Sequence, residues 1–128
     1  MSFEEAEILR ERAHMFLENA EYLIGRGYYD LAVFNLEQYC QLILKYKLLV
    51  KTATYPRIHS LTRLINILAQ IEPNVRTLIE REEYFILLTK LEDAYIGSRY
   101  LPRRYAEVEA RALYRFVKEV FQRIVEGI

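Results

Sequence analysis

Apolar positions along this chain recur at intervals of three and four, and nowhere alternate in the two-residue rhythm of a half-buried strand. From Phe3 to Gly25, the residues Phe3, Ala6, Leu9, Ala13, Phe16, Ala20 and Leu23 define one face of an amphipathic helix, with Glu and Arg between them. Ser2, followed three residues later by Glu5, fits a capping box, and Gly25 and Gly27 suit the C-terminal end. The short Gly25-Arg26-Gly27 link predicts an antiparallel hairpin, because so few residues leave no room for another return.

The second segment, Tyr28 to Val50, is apolar on every side of a 3.6-residue wheel. A helix of that kind is packed on several sides, so it is predicted to be the central one, with a second subunit covering what its neighbours leave bare. Asn35, Glu37, Gln38 and Gln41 interrupt the apolar cylinder, and a buried helix keeps such groups only where something hydrogen-bonds to them. They are the first candidates for function.

Residues 51–59 hold Pro56 and read as a loop. Ser60 is then expected to cap a third helix with Leu61, Leu64, Ile65, Leu68 and Ile71 facing inward. Glu72-Pro73-Asn74 is a break, with Pro73 suited to the first position of a new helix. The next segment carries Val75, Leu78, Ile79, Phe85, Ile86, Leu88, Leu91 and Ala94 to Gly97, with a kink or connection at its charged middle, residues 80–83. Residues 98–105 read as a loop around Pro102. A last helix from about Ala106 to Val125 presents Val108, Ala112, Leu113, Phe116, Val120 and Ile124 inward. These elements predict an all-α, antiparallel up-and-down bundle of about five helices, one domain over residues 1–128.

The formal net charge is zero, so no global field draws the protein to nucleic acid or an anionic membrane; such binding needs a local patch. A single cysteine, Cys40, excludes an internal disulfide and reads as a small buried apolar residue. No apolar run approaches the roughly 20 residues needed to span a membrane, and the charged N-terminus does not resemble a signal peptide, so a cytoplasmic protein is expected. Two aspartates and two isolated histidines offer no metal-binding spacing, and neither metal nor cofactor is expected.

The densest chemical cluster follows Tyr95, where Arg99, Arg103 and Arg104 lie among Tyr95, Tyr100 and Tyr105. Guanidinium groups hold phosphate bidentately and aromatic faces stack on bases, a combination suited to a nucleotide or short RNA; the alternative is a solvated loop paired with surface Glu. His14 reads as solvated on a polar helix face, and His59, just before the third helix, as a loop-tying residue or a site residue. Gly97-Ser98-Arg99 looks like the start of a nucleotidyltransferase signature, but no strand precedes it and no DxD follows.

The order and spacing of several stretches resemble the HEPN domain (higher eukaryotes and prokaryotes nucleotide-binding). The stretches are Gly27 to Phe34, Glu37-Gln38 with Leu42, Lys45 and Leu49, His59-Ser60-Leu61 with Leu64, and Asp93-Ala94-Tyr95 running to Arg99-Tyr100-Leu101-Pro102. The resemblance implies a helical bundle, usually a homodimer, often encoded beside a small nucleotidyltransferase as a two-component or toxin–antitoxin pair. Many members are metal-independent ribonucleases using an arginine and a histidine separated by four to six intervening residues. Arg99 matches that arginine, but no histidine follows it, and the family's histidine would fall among Arg104, Tyr105 and Ala106. Two functions are then expected as alternatives. One is a noncatalytic nucleotide- or RNA-binding subunit using Arg99, Tyr95, Tyr100, Arg103, Arg104 and His59, with Glu37 and Gln38 ordering the site from behind. The other is a ribonuclease with His59 or Tyr105 as proton-transfer group beside Arg99, although a tyrosine with a pKa near 10 is a poor base at neutral pH.

Overall fold

The computed structural model describes residues 3–97 and 103–128, the side chains of residues 96 and 97 excepted. Every element among the described residues is helical. Ser2, the capping residue of the expected Ser2–Glu5 box, lies outside them, as do Arg99 and Tyr100.

Helix α1 runs Phe3–Gly25 and buries Ala6, Ala13, Leu17, Ala20 and Ile24 against α2, Tyr29–Thr52. The two form the expected hairpin. Its turn is a Schellman closure in which Gly27 N–H donates to Ile24 O (3.0 Å) and Tyr28 N–H to Leu23 O (2.9 Å). Gly27 takes φ +78° there, a left-handed conformation that a side chain would strain, so of the two glycines it is the one the turn requires. Helix α2 passes Val50 by two residues and stops where Ala53 turns left-handed (φ 70°), its N–H donating to Leu49 O.

Helix α2 is the hub, touching α1, α3 (Leu61–Leu68), α5 (Glu82–Gly97), α6 (Glu107–Phe116) and α7 (Gln122–Glu126). Its central position agrees with its all-round apolar character. The structure removes one argument attached to it, however. The chain's own helices cover α2, leaving Leu31 and Val50 as its exposed large apolar residues, so no second subunit is needed to clothe it.

Ser60 caps α3 as expected, its hydroxyl accepting from Arg63 N–H. The helix ends at Leu68, which leaves Ile71 in the following turn and exposed rather than inward. Pro73 opens a 3-10 turn, Pro73–Arg76, that feeds α4, Thr77–Glu80; Arg81 is extended and separates α4 from α5. On α5 the buried residues are Leu88, Leu91 and Ala94, spaced at three. Phe85 and Ile86, expected inside, precede Leu88 on the same helix and are exposed.

The last helix departs most from its expected register. Val108 is 78% exposed, and the fully buried residues are Leu113, Val117, Phe121 and Val125, each four after the last. On a regular α-helix a strict four-residue spacing rotates the stripe by about 40° per step. A π-helical turn over Val117–Phe121, between α6 and α7, widens the spiral and absorbs that drift. Val120 and Ile124, read as inner residues at period 3.6, therefore sit at the margin of the core.

Candidate nucleotide-binding site

Glu37, Gln38, Gln41 and Lys45, on three successive turns of α2, build the buried side of the site. Glu37 is completely buried, and both its oxygens accept: Oε1 from Gln38 Nε2 (2.9 Å) and Oε2 from Gln41 Nε2. Burial raises its carboxyl to about 7; the Gln41 and Gln38 hydrogen bonds oppose that, Glu92 reinforces it, and Lys45 opposes it. Lys45 is also buried, which lowers its ammonium while Glu37 pulls it back up, and its Nζ lies 5.9 Å from the centre of the Tyr55 ring.

The other side comes from the loop before α3 and from α5. Glu92 Oε1 accepts from Ser60 Oγ (3.0 Å) and from Thr62 N–H (2.6 Å), tying the start of α3 to α5. That anchor fixes His59, the residue before the cap. Its Nδ1 lies 3.3 Å from Gln41 Oε1, and its ring stacks on Tyr95 with centroids 4.5 Å apart and planes at 18°. A chain therefore runs from a buried carboxyl, Glu37, through Gln41 to an exposed imidazole lying on a tyrosine face.

The structure thus brings Glu37, Gln38, His59 and Tyr95 together, and adds Gln41 and Glu92. Gln41 stood out as a polar residue in an apolar helix; Glu92 carried no signal, being one charged residue among many on α5. Arg103 stacks its guanidinium on the Tyr105 ring, 3.8 Å from the centroid, and lies 3.7 Å from Glu109, which also pairs with Lys90 at 3.2 Å. Its Nη1 is buried with no partner among the described residues.

Tyr105 is itself buried, its hydroxyl donating to Lys90 O (3.1 Å) and its N–H to Asp30 Oδ1 (2.6 Å). Burial pushes the phenol up to about 12, against the pull of Arg103 and with help from Asp93, Glu109 and Asp30. That environment suits a structural strut. Arg104 is exposed and lines a separate groove with Gly27, Tyr28, Tyr29, Asp30 and Leu31.

A second polar cluster lies across α2, and it corrects the reading of His14 as a solvated residue. His14 Nε2 is 2.6 Å from Glu126 Oε1, while Glu126 Oε2 accepts from Tyr39 Oη (2.6 Å) and Gln122 Nε2 (2.9 Å). Burial would raise the Glu126 carboxyl, but the bonds from Tyr39, His14 and Gln122 together outweigh it and leave it lowered. The three elements meet only in the fold. The one hint in the sequence was Tyr39 on a buried face, whose hydroxyl needs a partner.

Among the described residues no group of three or more His, Cys, Asp or Glu side chains could hold a metal ion, and no helix is long and apolar enough to cross a membrane. Cys40 is buried, with its thiol pushed up by burial and by Glu37, as suits a packing residue. No curated protein and no solved structure gives a significant match to the chain. The family model described as HEPN domain matches residues 6–128, almost the whole length, and with the all-helical architecture this shows that the chain belongs to the HEPN domain family.

Proposed function

We propose that this HEPN domain binds a nucleotide or a short stretch of RNA on the His59–Tyr95 platform without cleaving it. The observation that carries the reading is the stacked, partly open ring pair backed by the buried Glu37–Gln41 chain. Aromatic stacking contributes about 1–3 kcal/mol per base. Arg99, four residues beyond Tyr95, supplies the phosphate charge in this reading, and no histidine follows it to complete the ribonuclease pair. A small nucleotidyltransferase partner in a toxin–antitoxin-like system, a homodimer and a cytoplasmic location belong to the proposal on family grounds alone.

One observation favours a second reading, metal-independent RNA cleavage with His59 as proton-transfer group. A carboxylate that orients an imidazole through hydrogen bonds is a recurring way to prepare a general base. Titration of labelled short RNAs and nucleotides, with cleavage followed in EDTA, separates the two. Binding without cleavage, weakened about tenfold or more by Tyr95→Ala and only partly restored in Arg99→Lys relative to Arg99→Ala, supports the first. Arg123→Ala, an exposed change on α7, is the control. Robust cleavage abolished by His59→Ala establishes the second, and no binding by the wild type removes both.

A further inference from the structure

The chain of contacts behind the platform has a direction. Glu37 sits fully buried with both oxygens accepting from amide N–H groups, and at pH 8, above the value of about 7 to which burial raises it, it is a carboxylate with no proton to give. Gln41, buried beside it, must therefore turn its amide NH2 toward Glu37. A primary amide has one donor end and one acceptor end, so the end left facing His59 is the carbonyl oxygen, 3.3 Å from Nδ1. An acceptor at that distance is satisfied only if Nδ1 carries the proton. A neutral imidazole has a single N–H, which leaves Nε2 as a bare acceptor. Nε2 has no hydrogen-bond partner among the described residues, and His59 is exposed.

The platform also says where that acceptor points. One face of the His59 ring is covered by Tyr95, and the Nε2 lone pair lies in the ring plane, at its edge. A base stacked on the rings lies over a face, so the in-plane lone pair addresses what is attached to the base rather than the base itself. In a nucleotide that is the sugar, and the donor it offers is a hydroxyl.

We propose that Glu37, acting through Gln41, holds His59 as the Nδ1–H tautomer, so that its free Nε2 accepts a hydrogen bond from a ribose 2′-hydroxyl and the site selects ribose over deoxyribose. The sugar preference rests on the nucleotide-binding reading above; the tautomer does not. Glu37 and Gln41 are positioning residues in this scheme, and His59 is the group that touches the ligand.

Two measurements on the full chain test it, both at pH 8. Long-range nitrogen–proton NMR spectra report which imidazole nitrogen is protonated, and a His14→Gln variant assigns the remaining signal to His59. The expected result is Nδ1–H in the wild type, shifting toward Nε2–H or a mixture in Gln41→Leu and in the isosteric Glu37→Gln, with circular dichroism confirming that both fold. A wild type with the proton on Nε2, or a tautomer unmoved in both variants, overturns the positioning.

The second measurement is fluorescence titration with a six-residue oligoadenylate as RNA and as DNA, and with AMP and 2′-deoxy-AMP. One neutral hydrogen bond corresponds to a preference of about three- to tenfold for the ribose form, lost in Gln41→Leu and in His59→Phe, which keeps the stack. A preference in the oligomers alone identifies the ligand as RNA; one in both identifies the nucleotide unit. Equal binding of ribose and deoxyribose forms overturns the sugar recognition while leaving nucleotide binding intact. Binding of none of the four probes overturns both.

Discussion

Two polar clusters flank α2, and each joins a glutamate, a glutamine and a histidine, yet they are opposites in electrostatic design. At Glu126 the carboxylate receives a tyrosine hydroxyl, a glutamine amide and a histidine nitrogen, and its proton affinity falls. At Glu37 the donors are two neutral amides, and desolvation wins, raising the carboxyl to about 7. The first cluster closes on itself and ties α1, α2 and α7 together. The second holds a carboxyl that resists ionisation and passes its orientation outward to an exposed ring. Similar ingredients therefore serve cohesion on one side of the helix and a prepared surface on the other.

The largest expected effect tests the cohesive side. Glu126→Ala leaves the buried Tyr39 hydroxyl and His14 without their acceptor, and stranding such groups costs about 2–4 kcal/mol, read as a lower urea midpoint. The companion Glu37→Gln should show the opposite sense above neutral pH. In the folded protein Glu37 binds its proton up to about 7, against an ordinary value of 4.5, so between those values the folded state holds more protons than the unfolded one. Stability attributable to this group is then greatest below pH 4.5, falls as pH rises toward 7, and levels off beyond, a loss of up to about 3 kcal/mol. Urea unfolding from pH 5 to pH 8 should show that decline in the wild type and a flattened curve in Glu37→Gln. A wild type as stable at pH 8 as at pH 5 would remove the contrast between the clusters.

How much of this the sequence disclosed differs between the clusters for a physical reason. Glu37 and Gln41 are conspicuous because they sit in a helix otherwise apolar on all sides, so a single segment raises the question of what satisfies them. Pairing of His14 with Glu126 is invisible locally: both lie on amphipathic helices where a charged residue is ordinary, and only tertiary packing brings them within 2.6 Å. The bundle itself was readable from periodicity, including the cap at Ser60 and the break at Arg81. What failed was register. Val108 lies about 140° round α6 from the buried Leu113, the π turn moves Val120 and Ile124 to the margin, an early helix end leaves Ile71 outside, and Phe85 and Ile86 precede the first buried residue of α5, Leu88. Tyr105 had been attractive as chemistry because it stood where the family's histidine falls; its strut-like packing against Lys90 and Asp30 is a long-range property. The central pair of the arginine loop, Arg99 and Tyr100, lies outside the described residues.

The smallest expected effect sharpens the comparison by exchanging the two histidines one at a time for glutamine. His14→Gln keeps an amide donor near Glu126, and because His14 is only half-buried, a change of about 0.5–1 kcal/mol in unfolding free energy is expected. It should leave the binding of short RNA untouched, since its ring contact is with Tyr39 inside the cohesive cluster. His59→Gln should behave in the converse way. The exposed ring contributes little to stability, but its loss takes the stacking face from Tyr95 and the terminal group from the Gln41 chain, so binding should weaken while the urea midpoint stays put. Measuring both quantities in both variants gives a two-by-two outcome. If His14→Gln weakens binding and His59→Gln lowers stability instead, the roles assigned to the two sides of α2 are reversed.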